Sequence, residues 1–131
     1  MASGTLALST NRTNEFVDIT ASLQHELEGY DINAGLLVVY NPHTTAGLTI
    51  NEGADPAVRA DILAALNQIV PLQHPYQHLE GNSPAHIMAS LMGSSVTVLL
   101  DNGRIQLGTW QRIFFCEFDG PRSRKVLWKT L

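Results

Sequence analysis

The sequence predicts a single α+β domain, with about seven strands in a mostly antiparallel sheet or sandwich and about three helices. The chain has 131 residues, the usual size of one domain, and no linker, repeat or low-complexity stretch divides residues 1–131. Helical spacing of apolar residues is confined to the first two-thirds of the chain. Alternating patterns bounded by turn residues run through the chain and fill its last third, which completes the α+β layout.

The N-terminal part is predicted to form short strands around one short helix. Residues 5–9 alternate between apolar and polar, and residues 16–19 follow a polar turn. Thr20 is a candidate helix cap, and Gly29 stops the helix. The apolar run at residues 35–40 has strand length and is predicted to be buried on both faces.

Two further helices are predicted in the middle of the chain, after a short strand at residues 48–50. Asp55 and Pro56 are a cap and a first-turn proline, so a helix begins there and ends before Pro71. A second such signal begins a helix at Ser83 and Pro84. Residues 72–82, between the two helices, are predicted to form an irregular polar loop, and Gly93 is predicted to end the second helix.

The C-terminal part is predicted to be β structure. The Asn102-Gly103 pair is a two-residue hairpin turn. The strands on either side of it and beyond are predicted at residues 95–100, around Ile105, at 111–118 and at 124–128.

Charge and composition exclude several classes of protein. The net charge is -4, from 12 acidic and 8 basic residues. The sequence has no cluster of basic residues of the kind that contacts phosphates in nucleic-acid-binding proteins, so this class is excluded. Because Cys116 is the single cysteine, no intrachain disulfide can form, which fits a reducing compartment. Strand alternation places Cys116 on the same face as Phe114 and Phe118, so we expect a buried, inert thiol. Residues 1–10 lack a signal-peptide pattern, and no apolar run approaches the ~18 residues that span a bilayer. We therefore expect a soluble cytoplasmic protein without a membrane partner.

Three of the five histidines have surroundings that suggest a site. His43 follows a proline between two predicted strands, and His78 and Glu80 point to the same side of an extended segment. His86 lies near the free N–H groups at the start of a predicted helix, which favours a metal or an anion there. His43, His78 and His86 are therefore candidate ligands of a divalent metal such as Mg or Zn. A polar loop held by ordinary hydrogen bonds is the alternative that the spacing leaves open.

Further polar residues can join this site. Asn51 and Glu52 follow the next predicted strand and can be brought to the same region. Gln111 follows a glycine that interrupts the β pattern and can present its amide. Arg122 and Arg124 follow a tight turn and can clamp a phosphate or a carboxylate, with a solvated turn as the alternative.

Several segments of the chain resemble the YjbQ-like family, in the family's order and over nearly the whole length. The Gly-Thr-Trp-Gln stretch at residues 108–111 is particularly specific, and FFCEFDGPR at 114–122 is similar to one branch of the family. The other matching segments are HTTAGLTINE at 43–52, DPAVR at 55–59, HLEGN at 78–82, AHI at 85–87 and GRIQLGTWQ at 103–111.

This resemblance implies a small α+β fold that forms a homotrimer through its sheets, with polar clefts near subunit boundaries. It also implies a thiamine-phosphate synthase, which joins hydroxymethylpyrimidine diphosphate to thiazole phosphate and releases diphosphate. The positions that match the family's polar motifs, and are expected to be catalytic, are His43, Asn51, Glu52, His78, Glu80, His86 and Gln111. Contacts to substrate or phosphate are expected from Thr44, Thr45, Asn82, Arg122 and Arg124.

One position departs from the pattern, because Met88 stands where many relatives have a lysine. Methionine cannot contact a phosphate, so the departure of diphosphate would depend on a metal, Arg122 or Arg124. Two alternative functions stay open. One is another metal-dependent enzyme, such as a hydrolase of small phosphoesters, in which a histidine-held metal activates water. The other is a non-catalytic trimeric module that binds an anion or small ligand.

Overall fold

The computed structural model describes residues 1–131 and contains eight strands and three helices. A five-stranded sheet has the order β1-β8-β3-β5-β6, a three-stranded sheet has the order β2-β7-β4, and every pairing is antiparallel. The α+β prediction is confirmed, with eight strands rather than about seven. In chain order the elements are β1 (Ser3–Ser9), β2 (Glu15–Asp18), α1 (Thr20–Leu27), β3 (Ala34–Tyr40), β4 (Ala46–Glu52), α2 (Pro56–Ile69), α3 (Ser83–Met92), β5 (Ser95–Asp101), β6 (Arg104–Gln106), β7 (Gln111–Glu117) and β8 (Ser123–Thr130).

The helix starts follow the sequence signals unevenly. Asp55 caps α2 as predicted, because its carboxylate accepts a hydrogen bond from the N–H of Ala57 at 2.9 Å. The predicted cap at Thr20 is wrong. Thr20 is the first residue of α1, and its hydroxyl accepts the N–H of Ile113 at 2.7 Å. None of the helices has the length and apolarity that crossing a membrane requires.

The start of α3 is one residue earlier than the predicted cap at Ser83. The cap position is Asn82, whose carbonyl oxygen accepts the N–H of Ala85 at 3.0 Å. The side chain of Asn82 does not cap the helix and is free to bond elsewhere. The helix ends at Gly93, as predicted, where φ is 92° and a glycine is favoured.

Two apolar cores lie on opposite faces of the three-stranded sheet. The first fills the space between the two sheets and includes Phe115 of β7, and the second lies under α2 and α3 and includes Phe114 and Cys116. The strand β7 therefore contributes side chains to both cores. The predicted burial of Cys116 is confirmed, and burial raises the pKa of its thiol, which keeps it protonated and inert.

The strand β3 is buried on one face only, so the prediction that both faces are buried is wrong. Leu37 and Val39 are fully buried between the sheets, whereas Leu36 and Tyr40 are exposed on the outer face. The helices α2 and α3 pack on the three-stranded sheet, α1 packs against the core between the sheets beside β1 and β7, and no helix covers the outer face of the five-stranded sheet. The hairpin turn between β5 and β6 is as predicted.

Candidate functional site

A polar cleft of ≈ 440 Å³ lies where the loop after β3, the loop before α3 and the turn between β7 and β8 meet. Apart from one proline, every residue that lines it is polar or charged. The lining residues are Pro42, His43, Thr44, Thr45, His78, Glu80, Asn82, His86, Asp119, Arg122 and Arg124. The fold thus brings together all of the predicted site residues except Asn51, Glu52 and Gln111.

The position of His43 is fixed by a buried asparagine and by the backbone of β8. The side-chain oxygen of Asn41 accepts the N–H of His43 at 3.0 Å, and its nitrogen donates to the carbonyl oxygen of Ala46 at 2.6 Å. Nε2 of His43 lies 3.0 Å from the backbone nitrogen of Lys125 and 3.1 Å from its carbonyl oxygen. The imidazole therefore hydrogen-bonds the backbone of β8 at Lys125, just beyond the last residue of β8 that pairs with β3.

The surroundings of His43 favour its neutral form. Burial lowers the pKa of His43, and the positive charge of Arg124 lowers it further. The hydrogen bond to the carbonyl of Lys125 and the charge of Glu117 act in the opposite direction and do not offset this. His43 therefore stays neutral at neutral pH and keeps its bond to β8.

We expect the stability of the protein to fall as the pH drops below about 6.5, the ordinary pKa of histidine, with His43 as one cause. The pKa of His43 is lower in the folded than in the unfolded protein. The unfolded state therefore binds the proton first, and the free energy of unfolding decreases as the pH falls through the folded-state pKa. Urea unfolding of the wild type and of His43→Gln between pH 7.5 and 5.0 measures this effect. The decline should be shallower in the variant, and identical pH profiles would contradict the expectation.

His78 and His86 form a pair of imidazoles at the other wall of the cleft. Their ring centroids are 5.3 Å apart and the rings are almost perpendicular. Nε2 of His78 is 3.9 Å from Oε2 of Glu80, which is too far for a hydrogen bond. The ring nitrogens of His86 have no hydrogen-bond partner in the protein, so this imidazole can bind a ligand or transfer a proton.

The three histidines do not fit a metal site in their present arrangement. Nε2 of His43 already bonds the backbone of Lys125. No three His, Cys, Asp or Glu side chains lie together in a way that could hold a metal ion. His78, His86 and Glu80 keep free donor atoms but would have to rotate toward a common point. The metal predicted from the sequence stays a prediction, and the metal content of the purified protein tests it.

Beneath the cleft lies a buried ion pair that the sequence analysis missed. Arg124 donates from Nε to Oε1 of Glu117 at 2.8 Å and from Nη2 to Oε2 at 2.5 Å. Nη2 also donates to the hydroxyl of Thr45 at 2.9 Å. The alternation of β7 was a signal for this pair, because it places Glu117 on the same buried face as Ile113 and Phe115.

The carboxyl of Glu117 is held in its ionised form. Burial alone would raise the pKa of Glu117, but hydrogen bonds from Arg124, from the N–H of Asp119 and from the hydroxyl of Thr10 outweigh it and keep the pKa low. The only buried side-chain nitrogen or oxygen without a partner is Oδ1 of Asn82. Nη1 of Arg124 also lacks an acceptor in the protein but is not fully buried, and Arg124, whose side chain is 5% exposed, lines the cleft.

Asp119 is a cleft residue that was not among the predicted site residues. Its Oδ2 accepts hydrogen bonds from Nδ2 of Asn82 and from Nη2 of Arg122, both at 2.9 Å. Arg122 also donates from Nε to the carbonyl oxygen of Asp119 at 2.7 Å. Asp119 thus holds one arginine and the start of α3 in place. Its nearness to two predicted phosphate-binding arginines in sequence was the available signal.

The remaining three predicted residues form a separate set, the distal polar group (Asn51, Glu52 and Gln111). Glu52 pairs with Gln111 at one end of β4 and β7, while the cleft lies beyond the Ala46 end. Seven residues of a strand extend over about 20 Å, so one chain cannot bring this group to the cleft. Oε1 of Gln111 accepts the N–H of Gly108 at 2.8 Å, so its amide shapes the turn before β7.

Met88 does not face the cleft. It is 1% exposed and packs in the second core, on the side of α3 away from His86. The cations that line the cleft in this chain are therefore Arg122 and Arg124.

Comparison with known proteins agrees with the resemblance in the sequence. The family described as UPF0047 protein YjbQ-like matches residues 4–131. The UPF0047 protein YugU of Bacillus subtilis is 47% identical over 128 residues, 97% of each chain. A UPF0047 protein of Methanocaldococcus jannaschii is 48% identical over 95% of this chain and 90% of its own length. The crystal structure of a YjbQ/UPF0047 family protein from Clostridium acetobutylicum matches with a TM-score of 0.94 at 50% identity, over 97% of this chain and 98% of that one.

Proposed function

The chain belongs to the UPF0047 YjbQ-like family, and we propose that its polar cleft binds the phosphate of a small phosphorylated substrate and catalyses a reaction on that substrate. The observation that carries this proposal is the fixed guanidinium of Arg124. Buried Glu117 holds it from below and leaves Nη1 without an acceptor in the protein, and Arg122 and the free imidazoles also line the cleft. A preorganised guanidinium is the side chain best suited to phosphate oxygens.

The loop after β3 adds hydrogen-bond donors to these arginines. The backbone N–H groups of Thr44 and Thr45 have no acceptor in the protein, and both residues line the cleft. The three carboxylates of Glu80, Glu117 and Asp119 outnumber the two guanidinium groups, so the cleft is negative by one charge while its imidazoles are neutral. Protonation of both His78 and His86 would make the cleft positive and strengthen the binding of an anion.

The first reaction to test is the synthesis of thiamine phosphate, which the family resemblance implies. The thiazole nitrogen bonds to the methylene carbon of the pyrimidine, and the carbon–oxygen bond to diphosphate breaks with its electrons on the departing oxygen. Arg122 and Arg124 stabilise the charge on the leaving diphosphate, and His86 gives it a proton. Diphosphate departs more easily with such positive groups in place, which is what the cleft supplies.

Hydrolysis of a phosphoester is the second candidate, and the composition of the cleft favours it. Its two free imidazoles, His78 and His86, lie side by side and can serve as the base and the acid that hydrolysis needs. In hydrolysis a water oxygen bonds to phosphorus as the ester oxygen leaves. One imidazole of the His78–His86 pair takes a proton from the water, and the other gives a proton to the leaving alcohol.

We also propose that the chain works as a homotrimer in the cytoplasm. Leu36 and Leu99 face each other on the outer surface of the five-stranded sheet, with exposed fractions of 36% and 63%. An apolar sheet face that no helix covers suits a subunit interface. In a trimer, a neighbouring subunit can carry its distal polar group to the cleft. Light scattering tests the assembly against a monomer mass of 14.3 kDa.

The proposed function is tested by binding and turnover together. Calorimetry with inorganic phosphate and with diphosphate should give saturable binding between pH 5.5 and 8, weakened about tenfold or more in Arg122→Gln through the loss of a charged hydrogen bond. Arg104→Gln is the matched control, since Arg104 is exposed on β6 away from the cleft. Formation of thiamine phosphate and hydrolysis of phosphomonoesters are then measured with Mg²⁺, with Zn²⁺ and with a chelator. Absence of phosphate binding contradicts the proposal, and binding without any turnover indicates the non-catalytic module.

A further inference from the structure

A second cavity adjoins the cleft and differs from it in chemistry. This apolar groove has a volume of ≈ 500 Å³ and shares Asn82 and Asp119 with the cleft. Apart from Asp119, no charged side chain lines it. Its apolar lining residues are Leu72, Pro84, Ala85, Met88 and Phe118, and the polar residues Thr13, Asn14 and Asn67 also line it.

The first turns of α3 fix the groove relative to the cleft. Asn82 and His86 are four residues apart and line the cleft, whereas Ala85 and Met88 are three apart and line the groove. Residues with these spacings lie on one side of a helix, so α3 presents a polar and an apolar stripe next to each other. A ligand that contacts both stripes is held by one rigid element.

The hydrogen bond between Asn82 and Asp119 marks the junction of the two cavities. Nδ2 of Asn82 donates to Asp119, while Oδ1 of Asn82 is buried and has no hydrogen-bond partner. Buried amide oxygens are normally paired, so Oδ1 of Asn82 can accept a hydrogen bond from a ligand at this place. The cleft on one side of this junction can bind a charged group, and the groove on the other side can bind an apolar group.

We propose that the apolar groove holds the organic part of the substrate, which is a phosphate monoester with an apolar alkyl or aryl group. This rests on the proposed function, because the phosphate of the same molecule occupies the cleft. Each cavity lies within the size range of small-molecule sites, and a phosphate alone would leave the groove empty. Continuity with the cleft through Asn82 and Asp119 selects the substrate, rather than a second protein, as the occupant.

The test is a series of n-alkyl phosphates, from methyl to pentyl, with inorganic phosphate as the reference. Each buried methylene should tighten binding about two- to fourfold until the groove is filled. Leu72→Ser should flatten this series and leave the affinity for inorganic phosphate unchanged, because Leu72 lies at the rim and is 61% exposed. Leu79→Ser is the matched control: Leu79 belongs to the same loop, is 99% exposed and does not line the groove. It should behave as the wild type.

A second measurement locates the alkyl group independently of affinity. The chain has three methionines, so methyl NMR of labelled methionine gives few signals, and Met88→Leu assigns the one in the groove. Butyl phosphate should shift the Met88 methyl signal more than inorganic phosphate does. A flat alkyl series with phosphate binding intact, or an unshifted Met88 signal, overturns the groove assignment and leaves the proposed function standing. Failure of every phosphate to bind overturns both.

Discussion

Replacing Arg124 with alanine is expected to lower the free energy of unfolding by about 3–5 kcal/mol, because it leaves a buried carboxylate without its counter-charge. Glu117 is 0% exposed, and Arg124 supplies two of its hydrogen bonds. Urea unfolding at pH 7 measures the change. Arg122→Ala is the matched control, since this half-exposed arginine pairs with Asp119 near the surface and should cost about 1 kcal/mol or less.

The pH dependence of this loss identifies its cause. The pKa of Glu117 is lowered in the folded protein, so its stabilising contribution is present above the ordinary pKa of glutamate and is lost as the pH falls through the folded-state value. The difference in the free energy of unfolding between the wild type and Arg124→Ala should therefore become smaller at acidic pH. A double variant, Arg124→Met with Glu117→Leu, should recover much of the stability. An Arg124→Ala protein as stable as the wild type at pH 7 would show that the pair is not buried as described.

The His86→Ala substitution is expected to reduce turnover by about 10²- to 10⁴-fold, the usual contribution of a general acid or base. The imidazole of His86 has no partner in the protein and faces His78 across the cleft wall, so its loss should leave the fold intact. The assay is the reaction that the wild type performs on the phosphorylated substrates above. Phosphate affinity should change much less than kcat, because the arginines remain.

The matched control for this experiment is His25→Ala, since the side chain of His25 is 82% exposed on α1 and pairs only with its helix neighbour Glu28. Both variants should be purified from a host without its own thiamine-phosphate synthase. Full activity in His86→Ala would show that His86 is not the general acid or base of the reaction.

The sequence predicted those parts of the fold that short-range rules determine. The Asp55-Pro56 start of α2 and the Asn102-Gly103 turn depend only on local backbone preferences, and both are confirmed. The one-sided burial of β3 depends on which sheet the helices cover, and no local pattern contains that information. Thr20 was assigned as a cap for the same reason: its hydroxyl bonds β7, which is distant in sequence.

The fold brings together the predicted site residues that lie at or near turns, and it separates those that a strand carries to its far end. His43 and His78 lie in loops, and His86 lies in the first turns of α3 next to the loop that carries His78. The fold brings these loops together at the cleft. Asn51 is only eight positions from His43, yet an extended strand runs between them and separates the two by many ångströms. The Glu117–Arg124 pair was missed because two charged residues beside a tight turn usually lie in water.

The strand order of the larger sheet has a consequence for how the protein is made. β8 lies between β1 and β3, and it is the last of the eight strands in chain order. Until β8 has been made, β1 and β3 each present an unpaired edge, which is a hazard for aggregation during synthesis. Arg124 and Lys125, which hold the cleft floor and His43, also arrive on β8. The nascent chain can therefore build its helices and hairpins early, but it acquires the cleft only after β8 has been made.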